Sequence, residues 1–117
     1  MGDSASTGRA MLDILIEQLE WHWTNQLRPR LNGLTDEEYL WEPAAGALAQ
    51  LDEVYAAWVD ALHSLDDAAL SRPVGPTEGP WAEHSGGTPI AHIHREIIHH
   101  GAEVALLRDL WARRSTL

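Results

Sequence analysis

The chain has 117 residues, 44% of them hydrophobic, with 18 acidic side chains against 8 basic ones and a formal net charge of −10; this length suits a single domain with one shared core. So large an excess of acid repels a phosphate backbone and an anionic bilayer surface, so neither nucleic acid nor a membrane is expected as a partner. With no cysteine present, disulfides, thiolate zinc sites and cysteine nucleophiles are excluded, and any transition-metal site must be built from histidine and carboxylate.

The first eight residues read as a polar, disordered tail, leaving residues 9–117 as one helical domain. No run resembles a signal peptide or approaches the length of a membrane span, so a cytoplasmic protein is expected. From Arg9 to Leu31 the apolar residues Leu12, Leu15, Ile16, Leu19, Trp23 and Leu27 recur three or four positions apart, which predicts a first helix kinked or ended near Pro29. Asn32-Gly33 supplies a stop, and Thr35-Asp36-Glu37-Glu38 reads as a capping box opening a short turn that closes at Pro43. Leu48, Leu51, Val54, Tyr55, Trp58, Leu62 and Leu65 form the stripe of a second long helix, from about Ala45 to Leu65. The three prolines and four glycines between Arg72 and Gly87 predict a loop. Thr88-Pro89 then opens a last helix that runs to about Arg113, with Arg108, Arg113 and Arg114 near its negative end. The fold class is therefore all-α, with three main helices and no strand.

At about 100° per residue, Ile93, Ile97, Val104, Leu107 and Trp111 share one stripe of the last helix. His100 falls near the middle of that stripe, which predicts a core-facing imidazole. Glu96 lies one turn earlier at i, i+4, so both side chains can converge on one point. Such a pair offers two ligands to zinc, nickel, iron or manganese, the third coming from a neighbouring helix. It equally describes a hydrogen-bonded core pair with no ion. His22, at the edge of the first stripe, is a candidate third ligand or a boundary residue packed on Trp23; His92, on the same side as Glu96, is another candidate. His92, His99 and Glu103 fall nearer the solvent boundary, and a metal-binding module without turnover would use Glu96 and His100 with His92 or His99; His63 and His84 read as solvated. No Ser-His-Asp pattern or phosphate-binding glycine loop supports hydrolytic chemistry.

The segments LEWHWTNQLRPRLNGLTDEEYLWEP (Leu19–Pro43), LDEVYAAWVDALHSLDDAALSRPVGPTEGPWAE and HIHREIIHHGAEVALLRDL (His92–Leu110) together resemble the DinB-like superfamily of helical bundles, of the actinobacterial, mycothiol-dependent type. The resemblance implies a four-helix bundle holding a divalent metal through one histidine on its second helix and an H-x-x-x-H or E-x-x-x-H pair on its last. Glu96 and His100 match that pair. It also implies, for several members, thiol-dependent transferase or isomerase chemistry with a low-molecular-weight thiol such as mycothiol. This chain departs from the pattern where Trp41-Glu42-Pro43 passes straight into the helix beginning near Ala45, so that the family's second helix and its histidine are absent. Two of three ligands remain, to be completed by His22, His92 or another chain. A bundle short of one helix exposes an apolar groove, which predicts a homodimer. Two functions follow: a metal-binding protein acting as a thiol-dependent transferase or isomerase, or a non-catalytic dimeric helical bundle with no bound metal.

Overall fold

A computed structural model describes residues 8–40 and 43–116. Residues 1–7 of the expected tail, and Trp41 and Glu42 of the WEP segment, lie outside this set. Four α-helices follow in chain order: α1 (Ala10–His22), α2 (Ala44–His63), α3 (Asp67–Ser71) and α4 (Gly87–Ala112). A π-helical turn (Trp23–Leu27) and a 3-10 turn (Arg28–Leu31) extend α1, and a 3-10 segment (Pro76–Trp81) precedes α4. The architecture is all-α: the described residues form no strand, and one isolated bridge joins Pro73 to Ser85. No described helix is long and apolar enough to cross a membrane.

The core gathers Leu12, Ile16 and Leu19 of α1, Leu62 of α2 and Ile90 of α4, with Tyr55, Trp58, Leu65 and Ile97 packed around them. Leu12 and Leu62 are fully buried, each contributing about 1.5–3 kcal/mol from removal of apolar surface. The first stripe therefore does face the core. Its helix does not continue unchanged to Pro29, because the hydrogen-bond pattern widens to π at Trp23, where the indole stacks on Tyr55 with centroids 3.9 Å apart. Pro29 then sits within the first two positions of the 3-10 turn, where its missing N–H costs nothing.

Short polar clamps hold the ends. The carboxylate of Asp67 accepts from the N–H groups of Met11 (2.9 Å) and Leu12 (2.7 Å), so α3 caps α1, which carries no side-chain cap of its own. Thr35 Oγ1 accepts from the Glu38 N–H at 3.2 Å, one half of the expected capping box. The other half is diverted: the Glu38 carboxylate receives two bonds from the Arg108 guanidinium, at 2.7 and 3.0 Å. Arg108 also donates to the carbonyls of Arg30 and Asn32, both at 2.8 Å, so it ties α4 to the end of the first helical run instead of serving the helix dipole.

α4 begins at Gly87, one residue before the expected threonine cap. A Cβ on Gly86 would stand 2.1 Å from the Ala69 carbonyl oxygen, so only glycine lets the α4 N-terminus pack on α3. The rotation of α4 differs from the expected one. Ile90, His94, Ile97, Gly101 and Arg108 face inward, whereas the His100 side chain is 64% exposed and Val104 and Leu107 stand in solvent. The core-facing placement expected for His100 is thereby corrected. The cause is Gly101, which is buried against Leu27; a Cβ there would lie 2.9 Å from Leu27 Cδ1.

Gly46 and Gly101, both helical, should consequently respond in opposite senses. Among the described residues nothing approaches a Cβ placed on Gly46 within 4 Å, so Gly46→Ala should stabilise by roughly 0.5–1 kcal/mol through helix propensity. Gly101→Val should destabilise by roughly 1–3 kcal/mol, because Leu27 must be displaced. Urea denaturation of both variants checks the pair.

Candidate metal centre

Glu96, His99 and His100 lie at i, i+3 and i+4 on the outward side of α4, so their side chains rise over the same turn. Each offers one ligand atom, and all these atoms lie within 4.8 Å of one another. His100 Nε2 stands 2.8 Å from Glu96 Oε2, and its Nδ1 stands 2.7 Å from Glu103 Oε1. The rings of His99 and His100 are stacked, with centroids 4.9 Å apart and planes 7° from parallel. Glu96 is half-buried while both histidines are exposed.

The electrostatics favour a proton on His100. Its Nδ1 bond to Glu103 comes first and the nearby charge of Glu96 adds to it, so the imidazole pKa rises above its ordinary value despite some desolvation. With both nitrogens occupied by carboxylates, His100 is satisfied as an imidazolium, and a metal must displace that proton.

The remaining histidines separate into distinct roles. His92 stands outside the three-residue group; its Nδ1 lies 4.0 Å from Glu96 Oε1 and accepts from Arg95 at 2.6 Å. His22 is also outside the group. It lines a groove of about 1020 Å³ between α1 and α4, and its Nδ1 is buried with no hydrogen-bond partner among the described residues; desolvation lowers its pKa. His94 occupies the core-facing place that the sequence stripe assigned to His100: its Nε2 accepts from the Trp58 indole N–H at 3.1 Å, and burial lowers its pKa. His63 is 3.6 Å from Glu20 at an exposed helix end, and His84 meets the edge of Trp81. The signal for His99 was its i+3 spacing from Glu96, outweighed by its distance from the apolar stripe.

A pH prediction follows from His94 and His22. Because both bind protons less readily folded than unfolded, the stability they sustain is full above the ordinary histidine pKa of about 6.5 and declines as pH falls through it. His94→Gln retains an acceptor for Trp58 without titrating. The loss of denaturation midpoint between about pH 7.5 and about pH 5.5 should therefore be smaller in this variant than in the parent; an unchanged slope assigns the acid sensitivity elsewhere.

A family profile described as the DinB superfamily matches residues 44–104, which is 61 of the 117 residues. No curated protein and no solved structure gives a significant match. The matched stretch runs from the first residue of α2 through the outward turn of α4 that carries Glu96, His99 and His100, and the chain belongs to the DinB superfamily.

Proposed function

We propose that the chain binds a divalent metal through Glu96, His99 and His100, as an open site on the outer face of α4. The observation that carries this reading is the convergence of two imidazoles and a carboxylate within 4.8 Å. The donor set suits zinc, nickel, iron or manganese, and three protein ligands leave coordination positions for a solvent molecule or substrate. A metal bound there would act as a Lewis acid and lower the pKa of a thiol or water in an open position. By resemblance to the family, that ligand is a low-molecular-weight thiol such as mycothiol and the activity a transferase or isomerase.

This chain's own residues set the conditions. His100 must surrender its proton, Glu96 must turn from the imidazole to the ion, and Glu103 remains as the acceptor that orients His100 Nδ1. Metal affinity should fall with decreasing pH, with a midpoint above the ordinary histidine value because His100 holds its proton more tightly. Glu103→Gln should move that midpoint to lower pH. Zinc titrated into chelator-stripped protein should bind at least about tenfold more weakly in Glu96→Ala, His99→Ala and His100→Ala, and unchanged in His22→Ala and His92→Ala. Binding indifferent to the first three substitutions removes the metal reading and leaves a non-catalytic bundle. Cobalt-loaded protein given a small thiol should gain a thiolate charge-transfer band; its absence argues against thiol chemistry.

The same reading includes a homodimer. Trp21, Ile98 and Leu106 line the groove between α1 and α4, and Met11 and Ile14 stand one turn of α1 before its lining residues Leu15 and Gln18; each of the five large apolar side chains is more than half exposed. Together they present on the order of 500 Å² of apolar surface, toward the upper end of what a monomer exposes as one patch. A standard interface needs about 800 Å² per partner, so a second copy seated on this groove and its rim is the simplest cover. Light scattering should give twice the chain mass, and Trp21→Glu or Ile98→Asp should halve it. Leu107→Asp, on another face of α4, should not. A monomeric parent chain at micromolar concentration overturns the dimer, and dissociation by Leu107→Asp alone overturns the choice of face.

A further inference from the structure

A second cleft, of about 740 Å³, opens between the Pro76–Trp81 segment and the first two turns of α4. Its volume is in the range of small-molecule pockets. We infer that it binds a small planar monocarboxylate, held by Arg95 with His92 beside it and lying against the Trp81 ring. The site adjoins the proposed metal group, but its recognition uses different side chains.

Three observations carry the inference. The first is charge. All eight basic residues are arginines, and among the described residues six of them lie within 4 Å of a carboxylate: Arg9, Arg28, Arg30, Arg72, Arg108 and Arg114. Arg95 does not, although acids outnumber bases 18 to 8, and it lines the cleft. One of its terminal N–H groups goes to His92 Nδ1 at 2.6 Å, leaving the rest of the guanidinium fork for an anion. Since His92 Nδ1 accepts that bond, the ring carries its proton on Nε2 as a second donor.

The second observation is the apolar wall. Trp81 is 61% exposed and meets His84 edge-on, with centroids 5.3 Å apart and planes at 67°. Val74, Pro89 and Ala91 extend the apolar lining. An exposed indole lining the same cleft as a guanidinium that has no carboxylate partner among the described residues suits a ligand with a planar body and one negative end.

The third is that the loop bearing Trp81 is tied down. Val74 N–H donates to the His84 carbonyl (2.9 Å), Gly75 N–H to Ala82 (3.1 Å) and Gly86 N–H to Arg72 (2.7 Å). The wall is thus fixed against the α4 N-terminus before any ligand arrives, which lowers the entropy cost of binding. Glu78 also lines the cleft, and with the net charge of −10 it penalises a dianion more than a monoanion. A carboxylate is favoured over a phosphate on that ground.

Benzoate titrated into the full chain, stripped of metal with chelator, tests the site independently of the metal reading, which the zinc titration addresses. Followed by the assigned Trp81 indole N–H and Arg95 Nε–H resonances, benzoate should give saturable shifts. Benzamide, of the same shape but uncharged, and phenyl phosphate should each bind at least about tenfold more weakly. Arg95→Gln and Trp81→Ala should weaken benzoate by a similar factor, while Arg113→Gln should leave it unchanged; the Trp58 indole resonance, bonded to His94 away from this cleft, reports that each variant is folded. The inference is overturned if benzoate causes no saturable shift, if benzamide or phenyl phosphate binds as well as benzoate, or if Arg95→Gln and Arg113→Gln behave alike. The comparison of the three probes on the parent protein stands even if a variant fails to fold.

Discussion

The seating of Leu27 on Gly101 sets the rotation of α4, and the placement of every chemically active side chain depends on that rotation. A glycine on one helix lets a leucine from the other approach its backbone closely, so the axis between Ile90, Ile97, Gly101 and Arg108 becomes the inward face. Residues a quarter-turn or more away must then point outward. Glu96, His99, His100 and Glu103 form an exposed polar cluster for this reason, and His94 becomes the core histidine. The π-helical turn contributes upstream, because widening the helix at Trp23–Leu27 alters where Leu27 emerges relative to α1.

Arg108 fixes the same contact at the other end of α4. Its pairing with Glu38 is largely shielded, at 20% and 9% side-chain exposure, and the Arg30 and Asn32 carbonyls complete its donors. A shielded ion pair contributes little net stability against an apolar replacement but is costly to break singly, so its main effect is to set register between α4 and the end of the first helical run. The guanidinium holds the Glu38 carboxyl below the usual carboxylate range. The stability this pair sustains is therefore complete above that range and is lost as pH falls through the folded-state value, a more acidic window than that of His94.

The helices could be read from the sequence because their boundaries are punctuated. Pro43 precedes α2 directly, and Thr88-Pro89 falls within the first turn of α4. The stretch between the first helical run and α2 was legible for the same reason: its described residues, 32–40, form only turns, as its Asn-Gly and Thr-Asp-Glu-Glu signals predict. The phase of α4 was not legible, because a hydrophobic stripe counts side chains and the residue that decides the packing has none. Ile93, Val104, Leu107 and Trp111 do share a face, but that face flanks the contact and stays partly or largely exposed. α3 was missed because five residues carry no periodicity, although Asp66 capping Ala69 N–H at 3.1 Å was a local signal. The meeting of Glu96 with His100 was legible from spacing alone, because i, i+4 neighbours meet whichever way the helix is rotated. His99 stood only as an alternative to His92, because the expected phase set both toward solvent.

That rotation also determines what kind of metal site the cluster can be. In a closed bundle the ligands of an ion are desolvated, so the attraction between metal and carboxylate is strong and solvent protons are kept away. On the outer turn of α4 the same residues stand in water, where charge–charge attraction is screened and protons compete freely. The two carboxylates around His100 sharpen that competition, since they stabilise the imidazolium before they can assist a metal. Covering the adjoining groove would change this balance without any new ligand, because His99 and Glu103 line that groove and would lose solvent when it closes. Dimerisation and metal affinity would then be linked: a second chain that dries the groove favours the ion over the proton, and an ion that gathers Glu96, His99 and His100 fixes one wall of the surface on which the second chain sits.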